Sequence, residues 1–203
     1  MKLIKAIKTS KAAEKASTPG KKRSETQDRL IQCAIDILIN QGNEALTLDA
    51  VAHAAKVSKG GLLYHFPNKE ALITGIIQHL IDGFNAAIES ELAKEKGDEP
   101  GKWLRAYVRA TFNSSQLPLA LGSSLFAAVS ISLNPETAKQ IDTQISEWQH
   151  KLYNCGLDPV QASIVHLATE GLWATEMFEI NAPNQTLRKQ ILKRLLDMTR
   201  EAH

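Results

Sequence analysis

Apolar residues recur every three to four positions along most of this chain, the period of a helix with one buried face, and no stretch shows the strict alternation of a half-buried strand. Leu30, Ile31, Ala34, Ile35, Leu38 and Ile39 make the first stripe. It follows Ser24-Glu-Thr-Gln27, a capping-box pattern in which the serine hydroxyl accepts an orphan N–H and Gln27 reaches back to the cap, and it is stopped by Gly42. A short second helix opens at Thr47 and turns Leu48, Val51, Ala52 and Ala55 inward. The connection Ala55-Lys-Val-Ser58 leads to a third helix, capped by Ser58 and closed by Pro67. Asn68 caps a long helix carrying Leu72, Ile76, Ile77, Leu80, Ile81, Phe84 and Ile88. Past a loop from Gly97 to Gly101, helices are predicted over 102–116, 119–132, 135–153, 159–180 and 185–201, with Asn134-Pro135 and Asp158-Pro159 as N-cap and N1 pairs. The predicted class is all-α.

Two helices separated by three or four residues, with small alanines on the packing face, is the arrangement of a helix-turn-helix, although a helical hairpin in any bundle shares the pattern. With Leu62 pointing inward and about 100° per residue, Ser58 and Phe66 fall on the inner side while Gly60 and Tyr64 point away, flanked by Gly61 and Leu63. Two glycines in one short helix cost about 1 kcal/mol each relative to alanine, which close approach to a DNA backbone or groove wall would explain. Lys59, Lys69, the Tyr64 hydroxyl and a His65 N–H are candidate phosphate contacts, helped by the partial positive charge where helices open at Thr47 and Ser58. No Arg, Asn or Gln stands on the outer face to pair with a purine edge. What remains is thymine-methyl contact by Leu63, hydrogen bonding by Lys59 and DNA shape.

Charge adds to this picture. The net charge of +2 divides unevenly, with 12 Lys/Arg against 6 Asp/Glu in residues 1–69 and 12 against 16 in residues 70–203. Residues 1–23 alone hold eight basic residues against Glu14, and too few apolar ones to fold unaided. They are expected to form a basic arm, either adding phosphate contacts or serving as a solvated tail. At 43% hydrophobic and 23% charged overall, the chain can bury a core. No apolar run approaches the ~20 residues of a bilayer span, and Met1-Lys-Leu-Ile-Lys-Ala-Ile-Lys8 breaks each apolar pair with lysine, so a cytoplasmic protein without a membrane partner is expected. Cys33 and Cys155 belong to no CxxC pair, which argues against a disulfide framework or a zinc site.

Thr47-Leu-Asp-Ala-Val-Ala52 and Val57-Ser-Lys-Gly-Gly-Leu-Leu-Tyr-His-Phe-Pro-Asn-Lys-Glu-Ala-Leu72 closely resemble the recognition segment of tetracycline-repressor (TetR) family regulators. The resemblance covers about residues 24–84, with the helix-turn-helix at 47–66, and beyond that extends only to length and helical layout. Two positions depart from the family pattern. Lys56 stands in the turn where glycine is common, and could itself reach a phosphate; Leu63 stands where many members have tyrosine. The resemblance implies a DNA-binding domain at 24–84 and a ligand-binding and dimerising domain at 85–203. Thr47, Lys56, Ser58, Lys59, Gly60, Gly61, Leu63, Tyr64, His65 and Lys69 become the expected DNA-facing residues. It further implies a homodimer on an operator, its last two helices pairing with their copies in a four-helix bundle. Leu167, Leu172, Ile191, Leu195 and Leu196 permit that pairing and would equally suit an internal core.

Aromatic residues gather in the second domain: Trp103, Tyr107, Phe112, Phe126, Trp148, Trp173 and Phe178. Glu170 and Glu176 lie among apolar neighbours near Trp173 and Met177, and a glutamate facing an aromatic cavity suits a cationic or hydrogen-bonding ligand. An elongated or aromatic effector bounded by Trp103, Tyr107, Phe126 and Trp173, with Glu170 or Glu176 as polar contact and Met177 alongside, is the expectation. The alternative is core packing for the rings and solvent or the dimer partner for the glutamates. His166 and Glu170 at i, i+4 lack a third metal ligand. No GxGxxG, P-loop, GxSxG or HExxH pattern occurs, so neither an enzyme nor a cofactor is expected. The regulator expected is a repressor released by its effector. The rival is an architectural DNA-binding protein on the same fold that recruits a protein partner and senses no small molecule.

Overall fold

A computed structural model describes residues 25–113, 135–178 and 180–200. The arm at 1–23, Ser24 of the capping box, the helix expected at 119–132 and Phe126 lie outside the described residues. Eight α-helices occur among those described: α1 (Glu25–Gln41), α2 (Leu48–Ala54), α3 (Lys59–His65), α4 (Lys69–Leu92), α5 (Lys102–Asn113), α6 (Pro135–Tyr153), α7 (Pro159–Met177) and α8 (Gln185–Met198). No strand is present among them.

The starts follow the expected chemistry. Thr47 Oγ1 accepts from Ala50 N (3.1 Å), Ser58 Oγ from Gly61 N (3.0 Å) and Asn68 Oδ1 from Ala71 N (2.7 Å), each satisfying an amide that the first turn leaves free. Asp158 Oδ1 accepts from both Val160 N and Gln161 N at 3.0 Å, with Pro159 at the first helical position. Helix α7 ends at Met177, short of the expected 180.

The first three helices and the first half of α4 enclose one core of Leu30, Ile31, Leu38, Leu46, Val51, Leu62, Phe66, Leu72 and Ile76, with Ile77 and Leu80 at its edge. At about 1.5 Å per residue, the 24 residues of α4 run about 36 Å, so its second half reaches other partners. There Phe84 and Ile88 pack with Ala106, Tyr107 and Ala110 of α5. A third cluster joins Leu104, Val108 and Phe112 of α5 to Leu152, Val165, Leu172 and Leu195 of α6, α7 and α8. Helix α4 corrects one expectation, since by length and composition it is apolar enough to cross a membrane. Serving two cores in succession accounts for this, because the apolar stripe must continue along the whole helix.

Helices α4 and α6 are tied by polar side chains. Thr74 and Thr137 share a hydrogen bond of 2.6 Å, Asn85 Nδ2 donates to Gln144 Oε1 (3.1 Å), and Trp148 Nε1 donates to Asn85 Oδ1 (2.8 Å). Arg105, 1% exposed, anchors the far end of the molecule. Its Nη1 donates to the carbonyls of Pro100 (2.7 Å) and Thr199 (2.9 Å), and its Nε to Glu95 Oε2 (3.1 Å). Arg109 also donates to Glu95. Burial alone would push the Glu95 carboxyl up, but the hydrogen bonds and charges of Arg109 and Arg105 outweigh it and hold it below the ordinary 4.5.

Candidate nucleic-acid interface and sensing cluster

The turn between α2 and α3 is a Schellman closure. Lys56 N donates to His53 O (3.1 Å) and Val57 N to Ala52 O (3.0 Å), satisfying two carbonyls at the end of α2. That closure requires a left-handed residue at position 56, and Lys56 supplies it at φ 54°. This explains why glycine is common there. The lysine side chain stands exposed at the tip.

Helix α3 buries Leu62, and Phe66 follows it into the core. Phe66 seats against α4 at Gly75, where a methyl group would lie 2.7 Å from the ring. The sequence reading missed this contact, which sets how α3 leans on α4. Ser58, assigned to the inner side, is exposed and acts as the cap. Tyr64 is 85% exposed and Leu63 37%. The His65 ring, half-buried, meets Tyr64 edge-on at 5.1 Å and 82°.

The two glycines differ. A methyl group at Gly61 would stand 3.3 Å from Ser58 Oγ and crowd the cap, whereas one at Gly60 would meet nothing within 4 Å. Gly61 therefore has a reason inside the protein and Gly60 has none there. Lys59 is not a free cation, because its Nζ lies 3.0 Å from Asp49 on α2. Lys69 is half-buried at the start of α4, and Thr47 is exposed at the start of α2. The expected DNA-facing residues thus sit together on α3, on the turn before it and on the flanking helix starts.

The expected effector residues do not all converge. Trp103, Tyr107, Trp148, Phe84 and His166 form one ring cluster, with Tyr107 at its hub 5.4 Å from Phe84 and Trp103, 5.6 Å from His166 and 6.3 Å from Trp148. Tyr107 Oη donates to Glu170 Oε1 at 2.6 Å. Burial, and then the Glu170 charge, push the Tyr107 phenol well above its ordinary value, so it stays a donor. The buried Trp103 Nε1 has no hydrogen-bond partner among the described residues. Glu176 lies elsewhere and corrects its assignment: Arg188 of α8 holds it at 2.5 Å and stacks over Phe112 at 5.1 Å. Trp173 is half-buried and makes no ring contact with the cluster. The Met177 side chain lies outside the described residues.

Leu172 and Leu195 are buried in the core, with Ile191 and Leu196 packed beside them, so the internal alternative holds for these four. Leu167 differs, at 67% exposed. Val160, Ile164, Leu167 and Gly171 fall within about 60° on α7 and all are exposed. A methyl group at Gly171 would meet nothing within 4 Å.

This fold is that of a helix-turn-helix regulator with an appended helical domain. Residues 30–76 match the bacterial regulatory proteins of the tetR family, and residues 101–200 match the tetracyclin repressor-like C-terminal domain. The chain belongs to the tetR family, whose members are DNA-binding transcriptional regulators and not enzymes. Among curated relatives, it is 26% identical over 91 residues to the HTH-type transcriptional regulator BetI of Pseudomonas aeruginosa, covering 45% of this chain and 46% of that one. The chain therefore spans under half the length of that relative. A solved transcriptional regulator from Pseudomonas aeruginosa PAO1 superposes with a TM-score of 0.65 at 16% identity, covering 84% of this chain and 88% of that one. The multidrug binding protein EbrR, solved with malachite green, superposes at 0.59 and 19% identity over 85% and 98%.

Proposed function

We propose that the chain is a cytoplasmic repressor that binds an operator as a two-fold homodimer and leaves it when a small hydrophobic or aromatic effector enters the second domain. Residues 24–84 form the reading unit and 85–203 the sensing and dimerising unit. The observation that carries this reading is the outward face of α3: an exposed Tyr64 beside a glycine with open space around it, on a motif whose other face is sealed into the core. Lys56, Lys69, Tyr64 and His65 take phosphates, with Lys59 held beside them by Asp49, and the amides at Thr47 and Ser58 support them.

The stripe Val160, Ile164, Leu167 and Gly171 supports dimerisation. It is apolar, exposed and ends on a glycine that lets a second helix come close. The ring cluster supports sensing. It contains Phe84 of α4, and its Trp148 is bonded to Asn85, so a ligand that displaces Trp148 acts directly on the helix joining both units. Trp103 Nε1, without a partner among the described residues, favours an effector bearing a hydrogen-bond acceptor. EbrR, of like fold, binds malachite green, an aromatic ligand.

Selection from a random duplex pool tests the reading. Wild-type protein is expected to enrich a palindrome with half-sites about 34–36 Å apart or somewhat more. Leu167→Glu is expected to sediment as a folded monomer and to lose the paired footprint. Enrichment of no duplex by the wild type overturns the proposal.

A further inference from the structure

The outward surface of α3 is poor in hydrogen-bonding groups. Between Leu63 on one flank and Gly61 on the other it carries Gly60 and Tyr64, and across Lys59–His65 there is no Arg, Asn or Gln. The cation nearest this face, Lys59, is drawn toward α2 by Asp49. Tyr64 is braced edge-on by His65, which leaves its hydroxyl as a single polar tip. An aliphatic side chain that enters a major groove finds one apolar feature on the base edges, the C5-methyl of thymine.

Exposure fits this use. Leu63 is 37% exposed, whereas its neighbour Leu62 is fully buried. Gly60, adjacent on the outer face, presents no side chain and has no internal reason to be glycine. Without a Cβ there, the helix axis can approach the groove floor closely enough for the short Leu63 side chain to touch a base.

We propose that Leu63 reads a thymine methyl group in each operator half-site, and that Gly60 sets the depth at which it does so. This rests on the operator-binding reading above and adds which base is recognised and by what contact. Recognition is apolar at that position, so the protein separates thymine from cytosine and from uracil by the methyl group and its shape.

Uracil supplies the test, because it pairs as thymine does and lacks only the methyl. The probe is the duplex enriched by the wild-type protein, remade with uracil at one thymine at a time and measured by fluorescence anisotropy. One thymine per half-site is expected to weaken wild-type binding by about fourfold when replaced, and about fifteenfold when replaced in both, the equivalent of losing a buried methyl at each. Leu63→Ala is expected to bind the thymine duplex more weakly and to bind thymine and uracil duplexes equally. Because Leu63 is exposed, its helical circular dichroism should match the wild type. Equal wild-type binding to thymine and uracil duplexes overturns the assignment while leaving operator binding intact. A uracil penalty that persists in Leu63→Ala gives the contact to another side chain and also overturns it. If the wild type enriches no duplex, both readings fall together.

Discussion

The reading unit and the sensing unit differ in what they bury. Around α1, α2, α3 and the first half of α4, every fully buried side chain is apolar. Among the described residues, the buried polar and charged ones (Glu91, Arg105, Thr137, Gln161, Thr169 and Thr199) all lie at or beyond Glu91. A close-packed apolar core resists graded deformation, which suits a helix pair that must meet DNA in one geometry. A polar network is directional. Its hydrogen bonds are strong when complete and costly when one partner leaves, so it can hold one arrangement and then give way to another. The junction between the units has the second character: Thr74–Thr137, Asn85–Gln144 and Asn85–Trp148 are polar contacts between α4 and α6.

The largest expected effect lies in the sensing unit. Arg105→Ala removes the donor for Pro100 O, Thr199 O and Glu95, and should destabilise that unit by about 3–5 kcal/mol. The three tryptophans, Trp103, Trp148 and Trp173, all belong to this unit, so denaturant titrations followed by their emission report it alone. Circular dichroism reports both units. Emission and dichroism shifting together by the full amount would show that the two units unfold as one and break the comparison.

In the reading unit the counterpart is steric. Gly75→Ala puts a methyl group against the Phe66 ring and should cost about 1–3 kcal/mol by overpacking. DNA affinity should fall with it, because α3 loses its seat on α4. Unchanged operator binding by Gly75→Ala would show that the lean of α3 is set elsewhere.

The units should also separate on acidification. Glu95 is held below its ordinary value in the folded state, so the stability it contributes is fully present above about pH 4.5. It is lost as pH falls through the lower folded value, where the carboxylate protonates and both arginine contacts weaken. Tryptophan-monitored stability should therefore fall with acid more steeply in the wild type than in Glu95→Gln. Parallel curves for the two proteins would remove Glu95 as the source.

The smallest effects carry opposite signs for folding and for DNA. Gly60→Ala should stabilise the fold by up to about 1 kcal/mol, since the added methyl group meets nothing. Lys56→Gly should stabilise by about the same amount by relieving the left-handed backbone at φ 54°. Both should bind the operator more weakly, the first through lost approach and the second through one lost phosphate contact, with the salt slope reduced by about one unit. Undiminished operator binding by either variant would remove that residue from the interface.

The sequence by itself determined the helical class, most helix starts and the order of motifs, because these depend on neighbours. Caps such as Thr47, Ser58, Asn68 and Asp158 act within three residues, and an apolar period shows which side chains share a face. The outward set Gly60, Leu63 and Tyr64 was legible for the same reason, once Leu62 was placed inside. What covers a face is a different matter, and only the tertiary structure decided it. Helix α7 is apolar nearly all round, so its period could not tell Leu172, which is buried, from Leu167, which is exposed. The glutamates show the same limit. Glu170 and Glu176 have similar local surroundings, yet one meets Tyr107 from 63 positions away and the other Arg188 from the next helix. Arg105 finds its buried acceptor in Thr199, 94 positions on. Pairings over such distances depend on which helices pack together, and no local pattern records that.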